Sequence, residues 1–153
     1  LATKCMNPPV PPGFFFLDTN IPVYARAVEE PHQQAIAAGL IADALRTGRG
    51  LISTQVVQEF LNLATRHAAP VFSPDEAADY LDKVLWPLCS HVPSRDFYGR
   101  ALQIRTMTGY TFYDALIVTA AIESGCRVLY TEDLQHDRVV QSVRVVNPFL
   151  TAA

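Results

Sequence analysis

Long hydrophobic runs are missing from this chain of 153 residues. A helical membrane span needs roughly 20 predominantly apolar residues, and the nearest approaches are broken by Asp43, Glu59 or Glu123, so no membrane span is expected. Charge is also scarce: 18% of residues are Asp, Glu, Lys or Arg against 50% hydrophobic. That balance excludes a disordered acidic or basic chain, which lacks the apolar surface to offset its conformational entropy. Cysteine is sparse, with Cys5, Cys89 and Cys126 odd in number and without close spacing or a His partner pattern. A disulfide framework and a zinc knuckle are therefore not expected, and a reducing, cytoplasmic setting is. Lysine is nearly absent, since ten of the 12 basic residues are arginine.

What is present fits one compact domain, because domains most often run to roughly 100–150 residues. The stretch Asn7-Pro8-Pro9-Val10-Pro11-Pro12-Gly13 cannot enter a helix or a central strand. Residues 1–13 are read as an extended Pro-rich arm and residues 14–153 as the folded domain. Two readings of the arm stand side by side: residues 1–5 precede a natural start at Met6, or the arm clamps a partner subunit.

From Phe14 onward strand and helix signals alternate. Phe14-Phe15-Phe16-Leu17 is a continuous apolar run of strand length, as for a strand buried on both faces, and a polar loop is expected after Asp18. Pro31 suits an early helical position, with Ile36, Leu40, Ile41 and Leu45 at helical spacing and Gly48 and Gly50 as stops. Leu51-Ile52-Ser53 reads as a second strand, Thr54 as an N-cap, and Val56, Val57, Phe60, Leu61 and Ala64 as one helix face. Ser73-Pro74-Asp75-Glu76 is a capping box opening a helix to about Leu85. Leu88 to Val92 is read as a third strand closed by Pro93, and Ser94 starts a helix that Gly109 stops. Tyr113-Asp114 opens a helix through Glu123 with Gly125 behind it, followed by strands Arg127 to Tyr130 and Val143 to Val146. The alternation predicts an α/β domain, a mostly parallel sheet with helices on both faces.

Four acids stand at the punctuation points of this pattern. Asp18 and Asp133 follow strands, whereas Glu59 and Asp114 are placed in the first turns of helices. In open α/β sheets ligands collect beyond the carboxyl ends of strands, so a wound topology can bring these four into one cleft. Two carboxylates about 4 Å apart repel by on the order of 4 kcal/mol at an effective dielectric near 20, and a divalent cation reverses that sign. Each acid also has an ordinary reading: Glu59 and Asp114 as partners of a helix dipole, Asp18 and Asp133 as loop residues bonding their own backbone.

Four segments carry a resemblance. Phe16-Leu17-Asp18-Thr19-Asn20, Ser53-Thr54-Gln55-Val56-Val57-Gln58-Glu59-Phe60, Tyr113-Asp114-Ala115-Leu116-Ile117-Val118 and Leu129-Tyr130-Thr131-Glu132-Asp133-Leu134 resemble the signature blocks of PIN domains, in particular VapC-type toxins. Their order and spacing make the match specific, and it runs from about Phe14 to Phe149. The resemblance implies a single PIN-like domain and a Mg²⁺- or Mn²⁺-dependent endoribonuclease, its acids being Asp18, Glu59, Asp114 and Asp133. Asn20 and Thr131 are implied as supporting polar residues, Asn147-Pro148-Phe149 resembles the closing segment of the subgroup, and Glu132 or Asp137 stands as a substitute or supplement for Asp133. A homodimer and a small cognate antitoxin protein are implied as well.

The chemistry expected of such a site is hydrolysis of RNA phosphodiester bonds by an activated water, with carboxylates and a phosphate oxygen around the cation; the resemblance implies 3′-hydroxyl and 5′-phosphate products. The net charge of −3 is compatible with an RNA substrate, because setting the four acids aside leaves 11 acidic residues against 12 Lys and Arg. Arg26, Arg66, Arg100 and Arg105 are the phosphate-contact candidates. His32, His67, His91 and His136 form no ligand pattern. Tyr24, Phe112 and Tyr113 are read as core packing, with stacking on an unpaired base as the other reading. Ile36, Leu40, Val57, Phe60 and Leu61 serve either a core or an antitoxin groove. Three other classes fit parts of the sequence: an RNA-processing nuclease outside a toxin–antitoxin pair, a non-catalytic metal- or RNA-binding module, and a phosphatase or phosphotransferase using Asp18 as nucleophile. The last is disfavoured because no second acid follows two residues later and no suitable lysine is present.

Overall fold

The first strand, β1 (Phe14–Leu17), is the centre of the molecule. Successive strand residues point to opposite faces, and Phe15, Phe16 and Leu17 are all fully buried, so both faces of the sheet are covered there. The structure, a computed structural model, describes residues 11–68 and 70–151; most of the Pro-rich arm, with Cys5 and Met6, lies outside the described residues.

In chain order β1 is followed by α1 (Asn20–Tyr24), α2 (Pro31–Thr47), β2 (Gly50–Ser53), α3 (Thr54–Ala64) and α4 (Pro74–Tyr80). A wide π turn, Leu81–Leu85, leads into α5 (Trp86–Leu88), and then come β3 (Cys89–His91), α6 (Arg95–Thr108), α7 (Phe112–Glu123), β4 (Cys126–Tyr130), β5 (Val139–Val140) and β6 (Val143–Val146). The π turn sits where Pro87 has no N–H to donate and its ring would crowd the carbonyl of Lys83 in a regular helix.

The six strands lie in the order β3-β2-β1-β4-β6-β5. β1, β2, β3, β4 and β6 run parallel, and β5 is antiparallel to β6. The chain winds outward from β1 through β2 to β3, then returns to β4 on the other side of β1. The winding direction reverses between β1 and β4, and right-handed crossovers place the helices of the two halves on opposite faces. Leu17 pairs with Tyr130 and Tyr130 with Val146, so Asp18 and Thr131 leave neighbouring strands at the same level, beside the reversal. Backbone bonds fix that level: Asp18 N–H donates to the Tyr130 carbonyl at 3.1 Å and Thr131 N–H to that of Val146 at 3.0 Å.

Several sequence expectations hold in detail. Ser73 accepts from Glu76 N–H and Ser94 from Phe97 N–H as caps, and Gly48 and Gly109 close their helices in the left-handed conformation. Others are corrected. The segment after Asp18 is not a loop but α1, which tolerates Pro22 because a first-turn N–H has no intrahelical acceptor. Gly50 is not a helix stop: it is the first residue of β2, and a Cβ there would lie 2.1 Å from the Ala44 Cβ and 2.7 Å from the Phe15 ring. Ser53, not Thr54, holds the N-cap position of α3, and Glu59, the sixth residue of that helix, lies in its second turn rather than its first. β5 was not anticipated, since two residues carry no period; Gln141 at positive φ turns the chain back on β6. Leu40, Val57 and Phe60 are buried in the core, with Ile36 and Leu61 packed against it.

Candidate active site

Asp18 is the buried member of the site, 6% exposed. Its Oδ1 accepts from Thr19 N–H and its Oδ2 from the Thr131 hydroxyl, both at 2.7 Å. Burial pushes its carboxyl up from 3.8 to about 7; the charges of Asp133 and Glu59 act in the same sense, while the Thr131 and Thr19 bonds oppose it. Two acids distant in sequence are thus electrostatic neighbours of Asp18.

The Thr131 hydroxyl is the hub that joins the ends of β1 and β4. Besides donating to Asp18 it accepts from Asp133 N–H at 3.1 Å and from the Asn20 side-chain amide at 3.2 Å. The same Asn20 amide donates to Oδ2 of Asp133 at 3.2 Å. Asn20 and Thr131, expected to support the acids, therefore bridge Asp18 to Asp133. A second bridge leads to α3, where the Thr19 hydroxyl donates to Oε2 of Glu59. Gln55, one helical turn before Glu59 and on the same face, donates its amide to Oε1 of Glu59 at 2.7 Å and to the Tyr113 carbonyl at 3.3 Å. That contact sets the start of α7, and with it Asp114, beside α3. Asp114 is the third residue of α7 and its N–H is capped by the Thr111 hydroxyl at 3.2 Å.

Thr19 and Gln55 were not singled out from the sequence. Gln55 had a readable signal in its i, i+4 spacing to Glu59; Thr19 had none, because its partner is 40 residues away. The supplements considered for Asp133 point elsewhere: Glu132 bonds the Tyr24 hydroxyl and raises its pKa, and Asp137 pairs with Arg144 at 3.1 Å. Of the arginines proposed for phosphate, Arg100 is tied to Glu123, which also holds His91 at 2.7 Å. Arg26 lies 4.8 Å over the Phe72 ring, and with Arg66 it lines an apolar cavity of about 180 Å³. Arg105 is exposed in the last turn of α6. Tyr113, read as core, is 67% exposed.

Among the described residues, no Lys, Arg or His forms an ion pair with Asp18, Glu59, Asp114 or Asp133. Nor do three His, Cys, Asp or Glu side chains among them close on one point as a finished metal cage. Uncharged hydroxyl, amide and backbone donors bond Asp18, Glu59 and Asp133 instead. The donor set nonetheless has the chemistry of a hard divalent cation's ligands: it is made of oxygens, it carries uncompensated negative charge, and the buried Oδ1 of Asn20 has no hydrogen-bond partner.

A family model described as PIN domain matches residues 15–141. Among solved structures, DNA-bound VapBC from Salmonella typhimurium aligns at 20% identity with a TM-score of 0.62, covering 87% of this chain and 96% of that one. VapC20 from Mycobacterium tuberculosis, a sarcin-ricin loop cleaving toxin, aligns at 20% identity and a TM-score of 0.54, covering 78% of this chain and 89% of that one. FitAcB from Neisseria gonorrhoeae gives 18% identity and a TM-score of 0.58, with 89% and 99% covered. These likenesses are of fold. Comparison with curated protein sequences gave no match.

Proposed function

The chain belongs to the PIN domain family, and from that premise we propose that it is a Mg²⁺- or Mn²⁺-dependent endoribonuclease, the toxin of a VapBC-type pair. The observation that carries this reading is Asp18: a carboxylate almost wholly buried, pushed up to about 7, with Asp133 and Glu59 as its charged neighbours. Keeping such a group costs stability, and carboxyls shifted by burial beside other acids cluster at functional sites. Its place, beyond the carboxyl ends of β1 and β4 where the winding reverses, is where open α/β sheets hold ligands.

Asp18, Glu59, Asp114 and Asp133 are the residues to hold the cation, with Asn20 Oδ1 as a neutral donor beside them. When bound, the ion supplies Lewis-acid stabilisation of the phosphate's developing charge and a water acidic enough to attack at neutral pH. The chain's own contribution is placement. Thr131 holds Oδ2 of Asp18, so Oδ1, bonded only by Thr19 N–H, keeps a fixed direction. Thr19 and Gln55 grip both oxygens of Glu59 and tie it to the start of α7.

The VapBC structure among the fold neighbours supports a small antitoxin as the cognate partner, and the resemblance to VapC toxins supports a homodimer. A reducing cytoplasm suits Cys89 and Cys126, which are both free. Among the described residues no helix is long and apolar enough to cross a membrane.

The test is cleavage of total RNA in Mg²⁺ or Mn²⁺ with mapping of the new ends, by the wild type and by Asp18→Asn, Glu59→Gln, Asp114→Asn and Asp133→Asn. Expected are 3′-hydroxyl and 5′-phosphate ends from the wild type and loss of cleavage in each variant. Full cleavage by Asp114→Asn, or cleavage unaffected by a chelator, would overturn the shared site.

A further inference from the structure

Beyond the carboxyl ends of β2 and β3 lies a cavity of about 230 Å³ that none of the four acids lines. Its floor is set by register: Ser53 and His91, the last residues of their strands, are directly paired. Its walls are the first turns of α3 and α7 and the start of α6, presenting Gln55, Gln58, Tyr98, Phe112 and Tyr113. We infer that this cavity receives one unpaired nucleobase of the RNA, beside the phosphate that is cut. The inference rests on the nuclease reading and adds to it the part of the substrate that the acids do not touch.

Five observations lead there. The Ser53 hydroxyl is buried and has no hydrogen-bond partner, although Ser53 is only 3% exposed and lines the cavity. A buried hydroxyl left without a partner costs about 1–3 kcal/mol, and a ligand with donors or acceptors on its edge supplies what is missing. The polar lining is otherwise neutral. No Asp, Glu, Lys or Arg contributes, and His91 is already engaged by Glu123, so the occupant is an uncharged group rather than a phosphate.

The walls carry aromatic faces, and Tyr113 at 67% exposure leaves a ring open to an incoming planar partner. Aromatic side chains and amide edges around a neutral slot are how single-stranded RNA bases are held. The volume is below the 300–1,000 Å³ typical of drug-sized ligands, which suits a single base. Position supplies the link to the cut: Gln55 lines the cavity while its amide bonds Glu59 and the Tyr113 carbonyl, so one side chain separates the base slot from the acids.

The test has two arms. In the first, ¹H–¹⁵N NMR follows titration of the wild type with AMP, GMP, CMP and UMP, and with inorganic phosphate for comparison. Expected are shifts at Ser53, Gln58 and Tyr113 with at least one nucleotide and none there with phosphate. Affinity should fall about tenfold in Tyr113→Ala, the loss of one stacking face, and about threefold in Ser53→Ala. Ser53→Ala deletes a hydroxyl that bonds nothing, so it does not endanger folding.

In the second arm, an oligonucleotide spanning a mapped cut site is made abasic at each nucleotide flanking the scissile bond. One abasic position should lower kcat/KM about tenfold for the wild type and not lower it further for Tyr113→Ala. Nucleotides that shift nothing in the cavity, affinities indifferent to both variants, or equal cleavage of abasic and intact RNA would overturn the inference. If no RNA is cleaved at all, the nuclease reading falls, and the first arm still decides the cavity.

Discussion

Thr131 donates its hydroxyl hydrogen to Oδ2 of Asp18 at 2.7 Å, across 113 residues of sequence. The bond joins the ends of β1 and β4 where the winding of the sheet reverses, and it is among the contributions that hold the Asp18 pKa down against burial. It therefore sets both the direction and the charge of the most deeply buried acid in the site.

Thr131→Val should remove that bond together with those to Asn20 and Asp133 N–H. Asp18 then becomes harder to ionise, and the acid limb of the pH–rate profile moves to higher pH; Thr131→Ser should restore it. Stability falls by about 1–3 kcal/mol, since bonded groups are left buried without their partner. A profile unchanged in Thr131→Val would show that Asp18 ionisation does not govern the rate.

The pKa of Asp18 also predicts how stability depends on pH without added cation. The folded state holds this proton up to about 7 and the unfolded state releases it near 3.8. Between those values the folded state binds more protons, so the contribution of this group to stability falls as pH rises through the window and is constant above it. The difference spans on the order of 4 kcal/mol. Denaturant melts of the wild type and Asp18→Asn from pH 4 to 8 should diverge in favour of the variant; parallel curves would refute the assignment.

Cation binding should reverse that penalty. Mn²⁺ or Mg²⁺ at about 100 times its dissociation constant stabilises a single-site protein by about 2.7 kcal/mol. The rise in Tm should be larger at pH 8 than at pH 6, because protons and the ion compete for Asp18. Asp18→Asn and Asp114→Asn should lose most of it. Equal Mn²⁺ affinity in the wild type and Asp114→Asn would remove Asp114 from the ligand set.

Gly50→Ala is expected to destabilise the domain far from the chemistry. The added methyl would meet Ala44 and Phe15 at 2.1 and 2.7 Å, and both neighbours are fully buried. Overpacking of this kind costs about 1–3 kcal/mol. Urea denaturation measures it; a loss of less than about 0.5 kcal/mol would mean that α2 moves freely off β2.

Much of the architecture was legible in order along the chain. Three consecutive buried residues in β1, the caps Ser73 and Ser94 and the left-handed Gly48 and Gly109 are local signals, each decided within a few residues of itself. Local signals mislead where one residue type serves two roles or an element is too short to show a period. Gly50 carries the mark of a helix stop but is glycine because Ala44 and Phe15 leave no room for a Cβ. Ser53 and Thr54 are both N-cap residues by type, so the sequence leaves the start of α3 open by one residue.

Local chemistry along the chain by itself determined most of the strands and helices, α1 and β5 excepted, and the presence of four acids along them, because periodicity, capping and burial of both strand faces act over short distances. Only the tertiary structure decided which groups meet. Thr19 reaches Glu59, Thr131 reaches Asp18, Gln55 spans α3 and α7, and Ser53 is left without a partner above β3. Each depends on strand order and register, which are set by closing long segments of chain and packing them together, and no window of neighbouring residues contains that information.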